Sequence, residues 1–373
     1  MQVTIDCRYI RERPSGIGAY VRALVDRLPS LAPEIRFLLW RHPRAPGALN
    51  PAPNVREVIA PSNPNEPLSL LFPRLFGPTD GEVFHAPHNL LPYGISTPAV
   101  VTVHDIMWID EPHLAEGSAL LRLFRVPFFR AGLLNSLARA RRILTVSQAS
   151  ADAMVRFRPE LGGRVVVAHN AADAHFQPPA DREAARARAA ALLGTDAPYF
   201  LLVGQNAPSK GHAIALRAFA AASRPDERLV LIQRLRTGRG LDQLARELGV
   251  RERLLVLPTV PTEGLVSLLQ SATALLQPSL AEGFGMPALE AMAAGCPVIA
   301  SDIAPLVEVL GGAGVHVPRG AAAPLGEAIR RIGDDGALRE ELRARGLERA
   351  RAFSWDTCAQ TTLEVYREAA RLG

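Results

Sequence analysis

The sequence predicts an α/β chain built from two doubly wound units in series. Three observations carry this. The chain has 373 residues, too many for one ordinary core and suited to two domains. Short apolar runs alternate with helical patterns along most of it, the mark of a parallel sheet covered on both faces. A proline-containing segment, Asn170 to Pro179, interrupts this rhythm once, after which it restarts.

Val3–Ile5 reads as a strand, followed by the glycine loop Ser15-Gly16-Ile17-Gly18 and an amphipathic helix through Tyr20, Val21, Leu24, Val25 and Leu28. Glycines between strand and helix let backbone amides approach an anion at the helix N-terminus. The loop is a poor dinucleotide fingerprint, because Val21 holds the third glycine position. Further strands are expected at Phe37–Trp40, Val83–Phe84, Val100–Val103, Arg142–Val146 and Val165–Val167. Beyond the interruption come a helix from Asp181 to Leu193 and strands at Tyr199–Val203, Arg228–Ile232, Leu254–Val256, Ala274–Leu276 and Val298–Ala300. The last segment, Trp355 to Leu372, reads as a helix packed through Phe353, Trp355, Leu363 and Tyr366.

Composition narrows the class. Hydrophobic residues are 48% and charged residues 21%, a globular balance. Cys7, Cys296 and Cys358 show no paired spacing, which suggests a reducing compartment and neither a disulfide framework nor a zinc site. No signal peptide and no membrane span is read. The net charge of +5 favours anionic ligands. Nucleic acid is not expected, because no basic block is interleaved with aromatics. Among 42 basic residues Lys210 is the one lysine.

The strongest chemical signal is the run from Pro278 to Gly295, PSLAEGFGMPALEAMAAG. A strand ends at Gln277, a loop carries Gly283 and Gly285, and a helix begins near Met286 with Pro287 in its first turn. Glu290 then lies about one turn inside that helix. Glu282 and Glu290 around such a mouth suit neighbouring hydroxyls, as in a ribose or a hexose. On spacing alone, two incidental acids at a helix start remain the alternative.

This run resembles the family 4 retaining glycosyltransferases of GT-B fold, with their two glutamates separated by seven residues. The resemblance extends over Gly16–Tyr20, Val101–Asp105, Val146–Ser150, Asn170–Pro178 and Val203–Lys210. It implies two Rossmann-like domains facing a central cleft: an acceptor domain over 1–175, a donor domain over 176–352, and a final helix over 353–373 returning to the first domain. It implies transfer of a hexose from a nucleoside-diphosphate sugar to a hydroxyl of a glycan or lipid-linked acceptor, with retention and without a metal or other cofactor.

The resemblance assigns a role to each matching residue. Glu290 would hold the donor ribose and Glu282 hydroxyls of the transferred sugar. Gly283, Phe284 and Gly285 would lie near the sugar and phosphates, and Gly204, Gln205 and Lys210 at the diphosphate. Lys210 would neutralise the departing charge, and Gly16 would cap the same diphosphate. His104 would lie beside the reacting sugar, and Asp105 either orients it or caps the next stretch of chain. Gly18, His88 and Asp105 are acceptor-side candidates. His85, His88 and His104 do not make a metal site, lacking a paired carboxylate.

Two departures from the family pattern stand out. Gln205 and Ser209 occupy positions where arginines are usual, which makes Arg234, Arg236 and Arg239 candidates to compensate. A sugar-nucleotide epimerase on the same fold and a non-catalytic nucleotide-sugar-binding protein are the competing readings. Finally, Ala119–Arg130 interleaves apolar residues with arginines around Pro127, ahead of Arg139, Arg141 and Arg142. A buried helix pair with arginines at its rim is the favoured reading. An interfacial patch is the other, and would add peripheral contact at the inner face of a membrane to a cytoplasmic location.

Overall fold

A computed structural model describes residues 1–12, 15–115, 119–233 and 239–372. Arg234, Arg236 and the side chain of Arg239 lie outside this set. The chain divides into two compact units. Unit 1 comprises Met1–Pro112, Ala119–Asn170 and Ser354–Gly373, and Ala171–Phe353 lies in unit 2. Residues 171–175, expected in the first domain, thus fall in the second unit.

Unit 1 holds β1 (Gln2–Asp6), β2 (Arg36–Arg41), β3 (Val55–Ile59), β4 (Val83–Ala86), β5 (Ala99–Val103), β6 (Arg142–Thr145) and β7 (Val165–Val167). They form one seven-stranded sheet in the order β3-β2-β1-β4-β5-β6-β7, parallel at every pairing. Its connecting helices are α1 (Gly16–Leu31), α2 (Pro67–Leu71), α3 (Met107–Asp110), α4 (Ala119–Arg139) and α5 (Gln148–Phe157). Both β4 and β5 are buried along their whole length, as continuous apolar runs in a covered parallel sheet should be. Phe84, Val101 and Val103 pack there with Leu133 and Leu137 of α4.

Unit 2 repeats the plan with β8 (Tyr199–Val203), β9 (Arg228–Ile232), β10 (Leu254–Leu257), β11 (Ala274–Gln277), β12 (Val298–Ser301) and β13 (Val315–Val317). The order is β10-β9-β8-β11-β12-β13, again parallel throughout. Its helices are α6 (Arg182–Leu193), α7 (His212–Ala222), α8 (Arg239–Glu247), α9 (Thr262–Ser271), α10 (Met286–Ala293), α11 (Ala304–Leu310), α12 (Ala322–Asp334) and α13 (Gly336–Ala350).

The last helix, α14 (Trp355–Arg371), belongs to unit 1. Ser354 caps it by accepting from the amides of Asp356 and Thr357. Tyr366 is buried, its hydroxyl 2.7 Å from His85 Nδ1. Phe353 does not join this packing face as expected. It precedes the helix, and its ring meets Phe284 edge-on at 5.6 Å in unit 2.

Two strands escape the sequence reading, β3 and β13. Both are sheet edges and neither is a continuous buried run, so the apolar signal is weak. The helix pair expected around Pro127 is instead one helix, α4, containing that proline. Its second half meets the core. Leu133 and Leu137 are buried, whereas Leu120, Leu123 and Phe124 are about two-thirds exposed, at 67%, 66% and 69%.

Candidate functional site

Open parallel sheets bind ligands beyond the carboxyl ends of their strands, where the strand order reverses. In unit 2 that point lies between β8 and β11. The loop after β8 carries Gly204 to Gly211, and the loop after β11 carries Pro278 to Gly285. The two expected donor loops are therefore neighbours by topology, although about 70 residues apart in sequence.

Local bonds fasten these loops together. The amide of Leu280 donates to the carbonyl of Ser209 at 2.7 Å. Gly211 has φ +66°, and a Cβ there would lie 2.0 Å from the Pro278 carbonyl oxygen. Only glycine allows that approach. It sets Lys210, at the end of a 3-10 turn over Pro208–Lys210, against Glu282. Lys210 Nζ donates to both oxygens of Glu282, at 2.7 Å to Oε1 and 2.8 Å to Oε2. The Glu282 side chain is 9% exposed and that of Lys210 32%. Ser279 Oγ and Gln277 Nε2 also donate to Glu282 Oε1, at 2.8 and 3.2 Å. Sequence reasoning passed over Gln277 and Ser279, though both stand inside or beside the run it singled out.

Gly285 starts α10 with φ +104°, a conformation open to glycine, and Pro287 stands in the first turn. Glu290 lies on the next turn. Its carboxyl makes no hydrogen bond or ion pair among the described residues. Burial, and secondarily the Asp173 carboxylate, push it up to about 8. This favours the protonated carboxyl in the ligand-free protein. Gln205 is exposed, and Phe284 and Gly285 are buried.

Unit 1 reverses its order between β1 and β4. Asp6 ends β1, and Arg8 and His88 lie beside it. Arg8 is wholly buried and forks onto Asp6, with Nε 2.8 Å from Oδ1 and Nη2 2.6 Å from Oδ2. Its Nη1 donates to Ser62 Oγ at 2.6 Å and Ser69 Oγ at 2.5 Å. Burial alone would raise Asp6, but the Arg8 charge and hydrogen bonds outweigh it and hold the carboxyl well below its usual range. His88, expected on the acceptor side, is 1% exposed, with Nε2 3.2 Å from Asp6 Oδ2. Its Nδ1 is buried without a partner among the described residues. It is a core residue here and offers no surface to an acceptor.

His104 stands just after β5 and keeps some exposure. Its Nε2 lies 3.2 Å from the Pro87 carbonyl, so that nitrogen carries the proton and Nδ1 is the acceptor. Burial lowers it to about 4, against a smaller opposing effect of that carbonyl. A neutral ring with an open acceptor suits a hydroxyl donor better than a phosphate oxygen. Asn89 holds the His104 amide at 2.8 Å. Asp105 Oδ1 accepts from the Met107 amide at 3.0 Å and so caps the turn that Met107 begins. Gly16 opens α1, with Ser15 accepting from the Gly18 amide at 3.0 Å.

The family model described as glycosyl transferases group 1 matches residues 164–349. The O-antigen chain mannosyltransferase B of Escherichia coli is 32% identical over 293 residues, 76% of this chain and 74% of that protein. The D-inositol 3-phosphate glycosyltransferase of Streptomyces avermitilis is 32% identical over 287 residues, 73% of this chain. The match spans 61% of that relative, less than two thirds of its length. Among solved structures, Anabaena HepE in complex with UDP and glucose matches with a TM-score of 0.75 at 18% identity, covering 99% of this chain and 100% of that one. That likeness concerns the fold, which is the expected GT-B type with two parallel-sheet, Rossmann-like units. The sequence matches reach further: this chain belongs to the group 1 glycosyl transferases.

Proposed function

We propose that the protein transfers a hexose from a nucleoside-diphosphate sugar to a hydroxyl of a glycan or lipid-linked acceptor, with retention of anomeric configuration and without a metal ion. The observation that carries this is the Lys210–Glu282 pair at the strand-order reversal of unit 2. Lys210 supplies a compact positive charge to a departing diphosphate, at the end of the loop that begins with Gly204 and Gln205. Glu282 accepts from a hydroxyl of the hexose, Glu290 from the ribose, and the amides of Gly283, Phe284 and Gly285 approach the sugar and phosphates. Glu282 is already engaged by three side chains, which favours orientation of the sugar over attack on it. The acceptor hydroxyl then enters on the leaving-group face and passes its proton to the departing phosphate. His104 Nδ1 is suited to accept from a substrate hydroxyl.

Thermal unfolding against UDP-, GDP- and ADP-sugars tests the donor, since a ligand bound to the folded state alone raises its stability. Proton NMR of the product tests retention, and EDTA in the reaction tests metal independence. No stabilisation by any sugar nucleotide refutes the reading. An inverted linkage refutes retention, and conversion of the donor without acceptor identifies an epimerase.

We also propose peripheral contact of unit 1 with anionic lipid, on a protein of the cytoplasm. Leu68, Leu71, Phe72 and Leu75 are 52–75% exposed, as are Leu120, Leu123 and Phe124 of α4. Residues 117–151 contain Arg122, Arg125, Arg130, Arg139, Arg141 and Arg142 and no acid. Apolar side chains in a unit that carries this run of arginines fit an anionic interface. No helix among the described residues is long and apolar enough to cross a membrane.

A further inference from the structure

The two oxygens of Glu282 are unequal. Oε1 accepts from Lys210 Nζ at 2.7 Å, Ser279 Oγ at 2.8 Å and Gln277 Nε2 at 3.2 Å. Among the described residues, Oε2 accepts from Lys210 alone, at 2.8 Å. A carboxylate offers about four lone-pair sites in all. The protein fills Oε1, and Oε2 retains room for one more donor.

The two neutral donors are built into the fold. Gln277 is the last residue of β11 and 5% exposed; Ser279 begins the loop and is 1% exposed. With Nε2 turned to Glu282, the Gln277 Oε1 is left buried and without a partner among the described residues. Buried polar atoms are nearly always paired, so this orphan is what holding Glu282 costs. The reversed amide would set oxygen against a carboxylate.

We propose that Ser279 and Gln277 are positioning residues for sugar selection. They fix Glu282 so that Oε2 is the one oxygen offered to a hydroxyl of the transferred hexose. A single acceptor in a fixed direction distinguishes a hydroxyl from its epimer, whereas a rotating carboxylate would accept either. Lys210 has three N–H donors. Two serve Glu282 and one remains for a phosphate oxygen, so Lys210 ties the sugar contact to the diphosphate contact. This inference rests on the nucleotide-sugar reading above and names how that site chooses its sugar.

The test compares wild type, Ser279→Ala, Ser279→Thr and Gln277→Met with two epimer pairs, UDP-glucose with UDP-galactose and GDP-mannose with GDP-glucose. Inhibition by free UDP or GDP is measured alongside. In Ser279→Ala, kcat/KM for the preferred sugar falls roughly 10-fold or more, the scale of one hydrogen bond to a charged group. The epimer ratio shrinks with it, while inhibition by free UDP or GDP changes less than about twofold. Ser279→Thr keeps the hydroxyl and restores both, and Gln277→Met repeats the effect from the other donor. Wild-type turnover with an unchanged epimer ratio in Ser279→Ala and Gln277→Met overturns this inference alone. Wild-type protein that binds none of UDP, GDP and ADP and uses none of the four sugars overturns the nucleotide-sugar reading as well.

Discussion

Lys210, the single lysine among 42 basic residues, holds both carboxylate oxygens of Glu282, at 2.7 and 2.8 Å. A planar guanidinium is bulkier than an ammonium and fixes its donors in one plane, so it would not serve Glu282 and a phosphate oxygen in the same way. Lys210→Ala should lower kcat for sugar transfer roughly 100-fold or more, the scale of losing one donor to developing charge. Lys210→Arg should recover only a small part of it. Steady-state transfer rates at saturating donor check both, and wild-type rates in Lys210→Ala would remove Lys210 from the mechanism.

Glu290 should make donor binding depend on pH. Raised from 4.5 to about 8, it keeps its proton across that window in the folded, ligand-free protein, where the unfolded chain has lost it. Its contribution to stability is therefore full below about pH 4.5 and is lost as pH rises through about 8. A ribose that donates to the carboxylate favours the ionised form. Donor affinity should thus rise with pH, by up to about tenfold per unit below pH 8, and level above it. Glu290→Gln should bind more weakly and without this slope. Calorimetric titration from pH 6.5 to 9 measures it, and an unchanged slope in Glu290→Gln would assign the dependence elsewhere.

Arg8 should matter for stability far more than for charge balance. Asp6 and Arg8 are both without exposed surface, and removing one partner of a buried pair strands the other. Arg8→Met should cost about 3–5 kcal/mol in urea unfolding. Adding Asp6→Asn should return part of that loss, because no charge is then left unpaired. Asp6 is held below its usual 3.8, so its contribution is present above that value and is lost as pH falls through the lower, folded one. A full loss in the double variant would contradict the pairing argument.

The exposed half of α4 should carry the lipid contact. Leu123→Glu with Phe124→Glu removes apolar area that is 66% and 69% exposed and adds charges that anionic lipid repels. Co-sedimentation with anionic vesicles at low salt should fall at least tenfold, with little change in melting temperature. Neutral vesicles should bind neither protein appreciably. Equal sedimentation of wild type and variant with anionic vesicles would dismiss the surface.

The sequence by itself determined the two-unit α/β plan, because buried parallel strands such as β5 and β12 are short apolar runs between helical patterns. It also determined the loop and helix around Glu282 and Glu290, because Gly285 and Pro287 act on their own neighbours. Tertiary structure decided the rest. The edge strands β3 and β13 lack a continuous apolar signal and take their place by pairing with a neighbour. His88 looks like a loop histidine in sequence, and Asp6 makes it a core residue from the far side of the strand-order reversal. Phe353 left the last helix for Phe284. The bond between Lys210 and Glu282 depends on β8 lying beside β11 and on Gly211 passing the Pro278 carbonyl. A one-dimensional pattern records what a residue does to its near neighbours, whereas these relations arise only when distant strands become adjacent.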